Sequence, residues 1–158
     1  MPGLFGLCAA THVLTSIAGY PTEYSPGKMR SKLYSELRSN LAGLESRLRN
    51  NAKHIRVPLN ENDIGYIVEE VFRGKSVVSG YSTRLALMRW EKIPGEAKGE
   101  EDYPLRIEDL VLMTKEEAAR HEKEVLKGDK NPGDVWSKQV LERVQTAKRE
   151  EAMYRPYR

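Results

Sequence analysis

Residues 29–48 read MRSKLYSELRSNLAGLESRL. Met29, Leu33, Leu37, Leu41, Leu44 and Leu48 are spaced four, four, four, three and four positions apart, which puts all six on one face of a helix. Ser25 is a suitable N-cap and Pro26 suits the first helical position, so the pattern predicts a helix over residues 26–51. Gly43 is a mild defect of about 1 kcal/mol. A stripe of this kind packs onto another helix, of the same chain or of a partner. It is too short and irregular for a long coiled coil.

Outward from this helix the chain changes character. The first charged side chain is Glu23; everything before it is apolar or neutral except His12. Residues 4–18 read as a helix of small and aliphatic residues, with Leu4, Leu7 and Leu14 among them. Gly6 and Ala10, four apart, would let another helix approach closely. Three readings suit this head: a helix packed into a partner or the protein's own core, a membrane helix or interfacial anchor, and an uncleaved targeting segment.

Downstream, the spacing predicts a helix over 63–73 capped by Asn62, with Ile64, Ile67, Val68, Val71 and Phe72 on one face and Gly74 as a left-handed C-terminal cap. A further helix is expected over 83–91, with Leu85, Leu87, Met88 and Trp90 for burial. Residues 95–102 form a charged loop and the best internal boundary. An apolar run follows over 104–113. Thr114-Lys115-Glu116-Glu117 is a capping box that opens a mostly polar helix. Asn131-Pro132 caps a final helix striped with Trp136, Val140, Val144 and Ala147. The fold class expected is all-α: an elongated multi-helix protein with an apolar N-terminal helix and a polar C-terminal helical arm. The divisions are an N-terminal helix over 1–22, a helical core over 23–94, and a charged arm and tail over 95–158.

The net charge is only +3, but it is segregated. Eight basic residues face two acids between Lys28 and Arg56, whereas eleven acids face six bases between Glu91 and Glu124. Either the two blocks face each other inside the fold or as solvated faces, or the basic block meets phosphate, anionic lipid or an acidic partner. Lys28, Arg30, Lys32 and Arg38 are the residues expected to touch anionic lipid or phosphate. The tail adds Arg155, Tyr157 and Arg158, and aromatics mixed with arginine can stack on bases.

Catalytic signatures are wanting. Cys8 is the single cysteine, which excludes an internal disulfide. His12, His54 and His121 lack ligand-spaced partners. His121 reads as a solvated histidine on a polar helix, and Glu69-Glu70 and Glu116-Glu117 as solubilising charge. Gly27-Lys28 lacks the rest of a phosphate-binding loop. No metal or cofactor is expected. Hydrophobic residues make up 39% of the chain, a thin supply for a core of its own. Leu4, Leu7, Leu14, Leu33, Leu37, Leu41, Leu44 and Leu48 are therefore expected to pack on partners. These features together suggest a non-enzymatic accessory subunit of an organellar membrane complex of the respiratory-chain or ATP-synthase type. The protein would then be associated with the mitochondrial inner membrane, held by other subunits, with residues 4–18 available to the bilayer. The alternative is a protein of an organellar ribosome contacting rRNA through the basic helix and tail.

Overall fold

The computed structural model describes residues 2–18, 30–49, 57–93 and 104–157. The expected cap at Ser25-Pro26, Lys28 and the boundary loop over 95–102 lie outside the described residues.

Six α-helices and a two-stranded sheet make up the described fold: α1 (Pro2–Ile17), α2 (Ser31–Leu48), α3 (Glu61–Tyr66), β1 (Leu85–Arg89), β2 (Leu110–Thr114), α4 (Lys115–His121), α5 (Pro132–Val135) and α6 (Lys138–Tyr154). α3 and α4 each run on into one wider π-helical turn, Ile67–Val71 and Glu122–Leu126. The molecule is mostly helical, as the periodicity predicts. The sheet corrects the all-helical expectation.

α2 is the organising element. Leu37, Leu41 and Leu44 are buried, with Leu33 and Leu48 half-buried against the same core. The other side of the contact is α3 and β1 of the same chain. Each such leucine contributes about 1.5–3 kcal/mol on burial. α2 and α3 meet closely because Gly65 has no side chain: a Cβ there would stand 3.2 Å from the Tyr34 ring.

α3 is capped by Asn60 rather than Asn62. The Asn60 side chain accepts from the Asp63 backbone N–H, and the Asp63 carboxylate accepts from that of Asn60. Asn60 lies three residues before an acid that can reciprocate, and Asn62 does not. The chain leaves α3 through Arg73 and Gly74, with φ of 53° and 66°. The left-handed turn is therefore centred one residue earlier than a glycine rule alone suggests, and Arg73 carries its cost.

The region expected as a helix over 83–91 is strand β1. It pairs antiparallel with β2, Leu87 opposite Leu112 and Arg89 opposite Leu110. Leu-Ala-Leu-Met has good helix propensity, but five residues are too few for a stable helix on their own. β2 supplies a wholly buried partner in Leu110-Val111-Leu112-Met113-Thr114. Short apolar runs do not separate buried strand from buried helix by periodicity.

α4 opens with the expected capping box: Thr114 Oγ1 accepts from the Glu117 backbone N–H, and Glu117 accepts from that of Thr114. The last helix is interrupted. Asn131 caps α5, the chain extends at Trp136, and α6 starts afresh at Lys138. Trp136, Val140 and Val144 are buried in the common core, so α6 packs on the body rather than standing off as an arm.

Candidate functional site

At the centre of the body lies a set of buried charges. Glu45 of α2 accepts from Arg89 Nε at 2.6 Å and Nη2 at 3.1 Å, and from Arg49 Nε at 3.4 Å. Arg89 also pairs with Asp109 at 3.6 Å. The Glu45, Arg49 and Arg89 side chains are at most 2% exposed. Two cations meet two anions, which offsets the large cost of removing each from water. The network ties α2, the end of β1 and the turn before β2 into one unit.

Beside it stands His121, wholly buried between two tryptophans. Its ring stacks on Trp90 at 5.3 Å and lies 6.1 Å from Trp136. Trp136 Nε1–H donates to His121 Nδ1 at 2.9 Å. Indole N–H only donates, so Nδ1 accepts and the proton sits on Nε2, which faces the carbonyls of Arg89 and Trp90 at 3.0 and 3.1 Å. Burial pushes the imidazole pKa down, and the two carbonyls partly oppose that shift. The expectation of a solvated His121 is corrected: it is a neutral strut joining α4, β1 and the start of α6. Glu117 is likewise not loose surface charge, since Ser76 Oγ–H donates to it at 2.5 Å. Burial raises its pKa, but the Ser76, Ser79 and Thr114 bonds outweigh that and hold it below the ordinary value. Glu69 accepts from the Tyr34 hydroxyl at 3.0 Å.

Beside Trp90 opens a cleft of about 510 Å³. Trp90, Val125 and Leu141 give it an apolar side, Lys92 and Lys130 stand among its polar lining, and Glu91 and Asp129 join them. The Lys92 ammonium donates to the Gly128 carbonyl at 2.9 Å, and that of Lys130 to Glu124 at 2.8 Å. Gly128 is required: a Cβ would meet the Glu124 carbonyl oxygen at 2.2 Å. Among the described residues no group of His, Cys, Asp and Glu is arranged to hold a metal ion.

The residues singled out from sequence separate into three groups. Leu33, Leu37, Leu41, Leu44 and Leu48 pack inside this chain. Leu4, Leu7 and Leu14 stand exposed on α1, together with Phe5, Val13 and Ile17. Of the basic residues, Arg30 lies 3.9 Å from Glu69, Arg38 Nε donates to the Leu59 carbonyl at 2.8 Å, and Lys32 is exposed with no ionic partner among the described residues. The charge blocks meet each other within the fold. Arg47 makes two bonds of 3.1 Å to Glu122, and Lys115 pairs with Glu36 at 3.2 Å.

Sequence reading missed the Glu45–Arg89 network, the His121 strut and the cleft. One signal was present: Glu45 falls four residues after Leu41 and four before Arg49, so it shares a face with the buried stripe. Nothing in the sequence pairs it with Arg89.

No described helix is long and apolar enough to cross a membrane, and no family model matches the chain. Two yeast proteins do resemble it. The chain is 41% identical over all 158 of its residues to tRNA threonylcarbamoyladenosine dehydratase 2 of Saccharomyces cerevisiae, and 39% identical over 154 residues to tRNA threonylcarbamoyladenosine dehydratase 1 of the same yeast. These stretches are 33% and 34% of the yeast proteins, so the chain spans about a third of the length of the curated relatives it matches. The relatives overturn three expectations at once: the respiratory-chain or ATP-synthase subunit, the organellar ribosomal protein, and the absence of a link to enzymatic activity.

Proposed function

We propose that this chain is one part of a tRNA-modifying dehydratase, an enzyme that removes water from a threonylcarbamoyladenosine in tRNA. The observation that carries this reading is the 39–41% identity along almost the whole chain to two proteins named for that activity. Within the enzyme this part holds and positions the tRNA. The cleft beside Trp90 is within the size range of small-molecule sites, and its mixture of apolar wall and lysine ammonium groups suits a nucleoside and its phosphate.

α1 then has a defined role. Its apolar side chains are exposed, yet its counterpart in tRNA threonylcarbamoyladenosine dehydratase 2 lies within the matched stretch of a protein about three times as long. α1 packs against the remainder of the enzyme and so brings the tRNA-holding body to the reacting centre.

The test is a nucleoside digest of tRNA from cells lacking the chain. Threonylcarbamoyladenosine should accumulate at the expense of the species lighter by one water, and re-expression should restore the ratio. An unchanged ratio would overturn the assignment.

A further inference from the structure

The cleft beside Trp90 is assembled from three separate stretches of chain. Residues 90–92 leave the end of β1, Val125 and residues 128–130 follow α4, and residues 131–133 open α5 while Leu141 stands on α6. A ligand meets all three walls at once only where their spacing is held.

Two ties between the walls lie at the surface. The Lys92 ammonium donates to the Gly128 carbonyl at 2.9 Å, and Lys148 of α6 lies 3.8 Å from Glu91. Both are open to water and contribute little. The enclosed tie is His121, which does not line the cleft and is wholly buried. From α4 its Nε2–H faces the carbonyls of Arg89 and Trp90 at 3.0 and 3.1 Å, at the β1 wall. Its Nδ1 accepts from the Trp136 indole N–H at 2.9 Å, between α5 and α6. One ring thus carries hydrogen bonds from its own wall to each of the other two. Its stack at 5.3 Å also sets the Trp90 ring, which does line the cleft. On the other side Arg120 lies over the Trp136 ring at 5.2 Å and donates to Glu124, the carboxylate that holds Lys130 of the lining at 2.8 Å. An apolar ring in place of His121 would fill the space, but it would leave the buried Trp136 N–H without its acceptor and the two carbonyls without this donor.

We propose that His121 is the positioning residue of the cleft, setting the spacing of its three walls for a nucleoside and its phosphate. It acts through Trp90 and Trp136 and touches no ligand itself. This inference rests on the cleft being the nucleoside site of the tRNA-modifying enzyme.

The experiment titrates adenosine 5′-monophosphate into the full chain, well below the melting midpoint of each variant, and follows tryptophan emission. Trp90 and Trp136 are the two tryptophans of the chain, so both reporters flank His121. Wild type should give a saturable change. His121→Phe should weaken the affinity by about tenfold or more, whereas His121→Gln, which still accepts and donates, should stay within about threefold of wild type. Trp136→Phe should weaken it as much as His121→Phe does, although Trp136 does not line the cleft. The two changes together should cost little more than either alone, because both break the same bond. A phenylalanine variant at 121 that melts lower but binds as tightly as wild type makes His121 a strut of the core only, and overturns the proposal. If that variant does not fold, Trp136→Phe decides, and an unchanged affinity there overturns it. So does a glutamine variant as weak as phenylalanine, since the bonds would then not be what matters. No saturable change in wild type means that the cleft takes no nucleotide and the positioning role falls with it, while the nucleoside ratio in tRNA still decides the dehydratase reading.

Discussion

In α1, Leu4, Phe5, Leu7, Val13, Leu14 and Ile17 lie in solvent, whereas in the body Glu45, Arg49, Arg89 and His121 are enclosed. The two regions depart from the usual partition of polar and apolar residues in opposite directions. The body can enclose charge because each group has a partner: among the described residues no buried side-chain nitrogen or oxygen lacks a hydrogen bond. Among the described residues α1 has no such internal answer, and its large apolar side chains stay exposed. The described body answers its own buried charge, whereas α1 leaves its apolar side chains open. Apolar content alone would have ranked the two the other way.

The comparison breaks most readily at the leucines. Leu37→Asp with Leu41→Asp places two unpaired carboxylates in the core, at several kcal/mol each, which is comparable with the whole stability of a domain. The circular-dichroism melt should vanish. Leu7→Asp with Leu14→Asp should leave the melt of the body within about 0.5 kcal/mol while abolishing recovery of the dehydrated nucleoside in cells. A lost melt in the α1 pair would mean that α1 belongs to the body's core, and the contrast would fail.

The buried network gives the next largest effect. Glu45→Gln removes the buried carboxylate that Arg89 and Arg49 share, and urea unfolding should show a loss of about 3 kcal/mol. Adding Arg89→Met should restore part of that loss, because an apolar residue of similar volume needs no counter-charge. If Glu45→Gln is neutral, the network is not what joins α2 to the sheet.

His121 gives the smallest and most specific effect. Its pKa in the folded protein lies below the ordinary value of 6.5, so the unfolded chain binds a proton more readily. Its stabilising contribution is complete above about pH 6.5 and is lost as pH falls from there through the folded-state pKa. A proton on Nδ1 would also oppose the Trp136 N–H. Urea midpoints should fall over that window, and His121→Gln should flatten this part of the profile. An unchanged slope in the variant would remove His121 from the explanation.

Much of the scaffold was legible. The α2 stripe, the glycine turn after α3 and the Thr114–Glu117 box all follow from spacing along a single element. The strands did not, because Leu85–Arg89 becomes a strand only by pairing with β2, some twenty residues away. The candidate site was less legible still. Glu45 and Arg89 are 44 positions apart, His121 and Trp90 are 31 apart, and only the fold makes them neighbours. The exposed Tyr154 and Tyr157 were visible as an aromatic, basic tail, but the bond from Arg155 to Glu108 was not.

The sequence by itself determined that α4 starts at the Thr114 box, which face α2 buries, and that the first segment carries no charged side chain. These are local properties, set by side-chain period, capping chemistry and solvation. Tertiary structure alone decided that a leucine-rich run becomes a strand, that two charge blocks pair within one chain, and that a histidine on a polar helix is buried. Each depends on groups far apart in sequence meeting where water is excluded, and there a charge or a hydrogen bond takes its value from its neighbour.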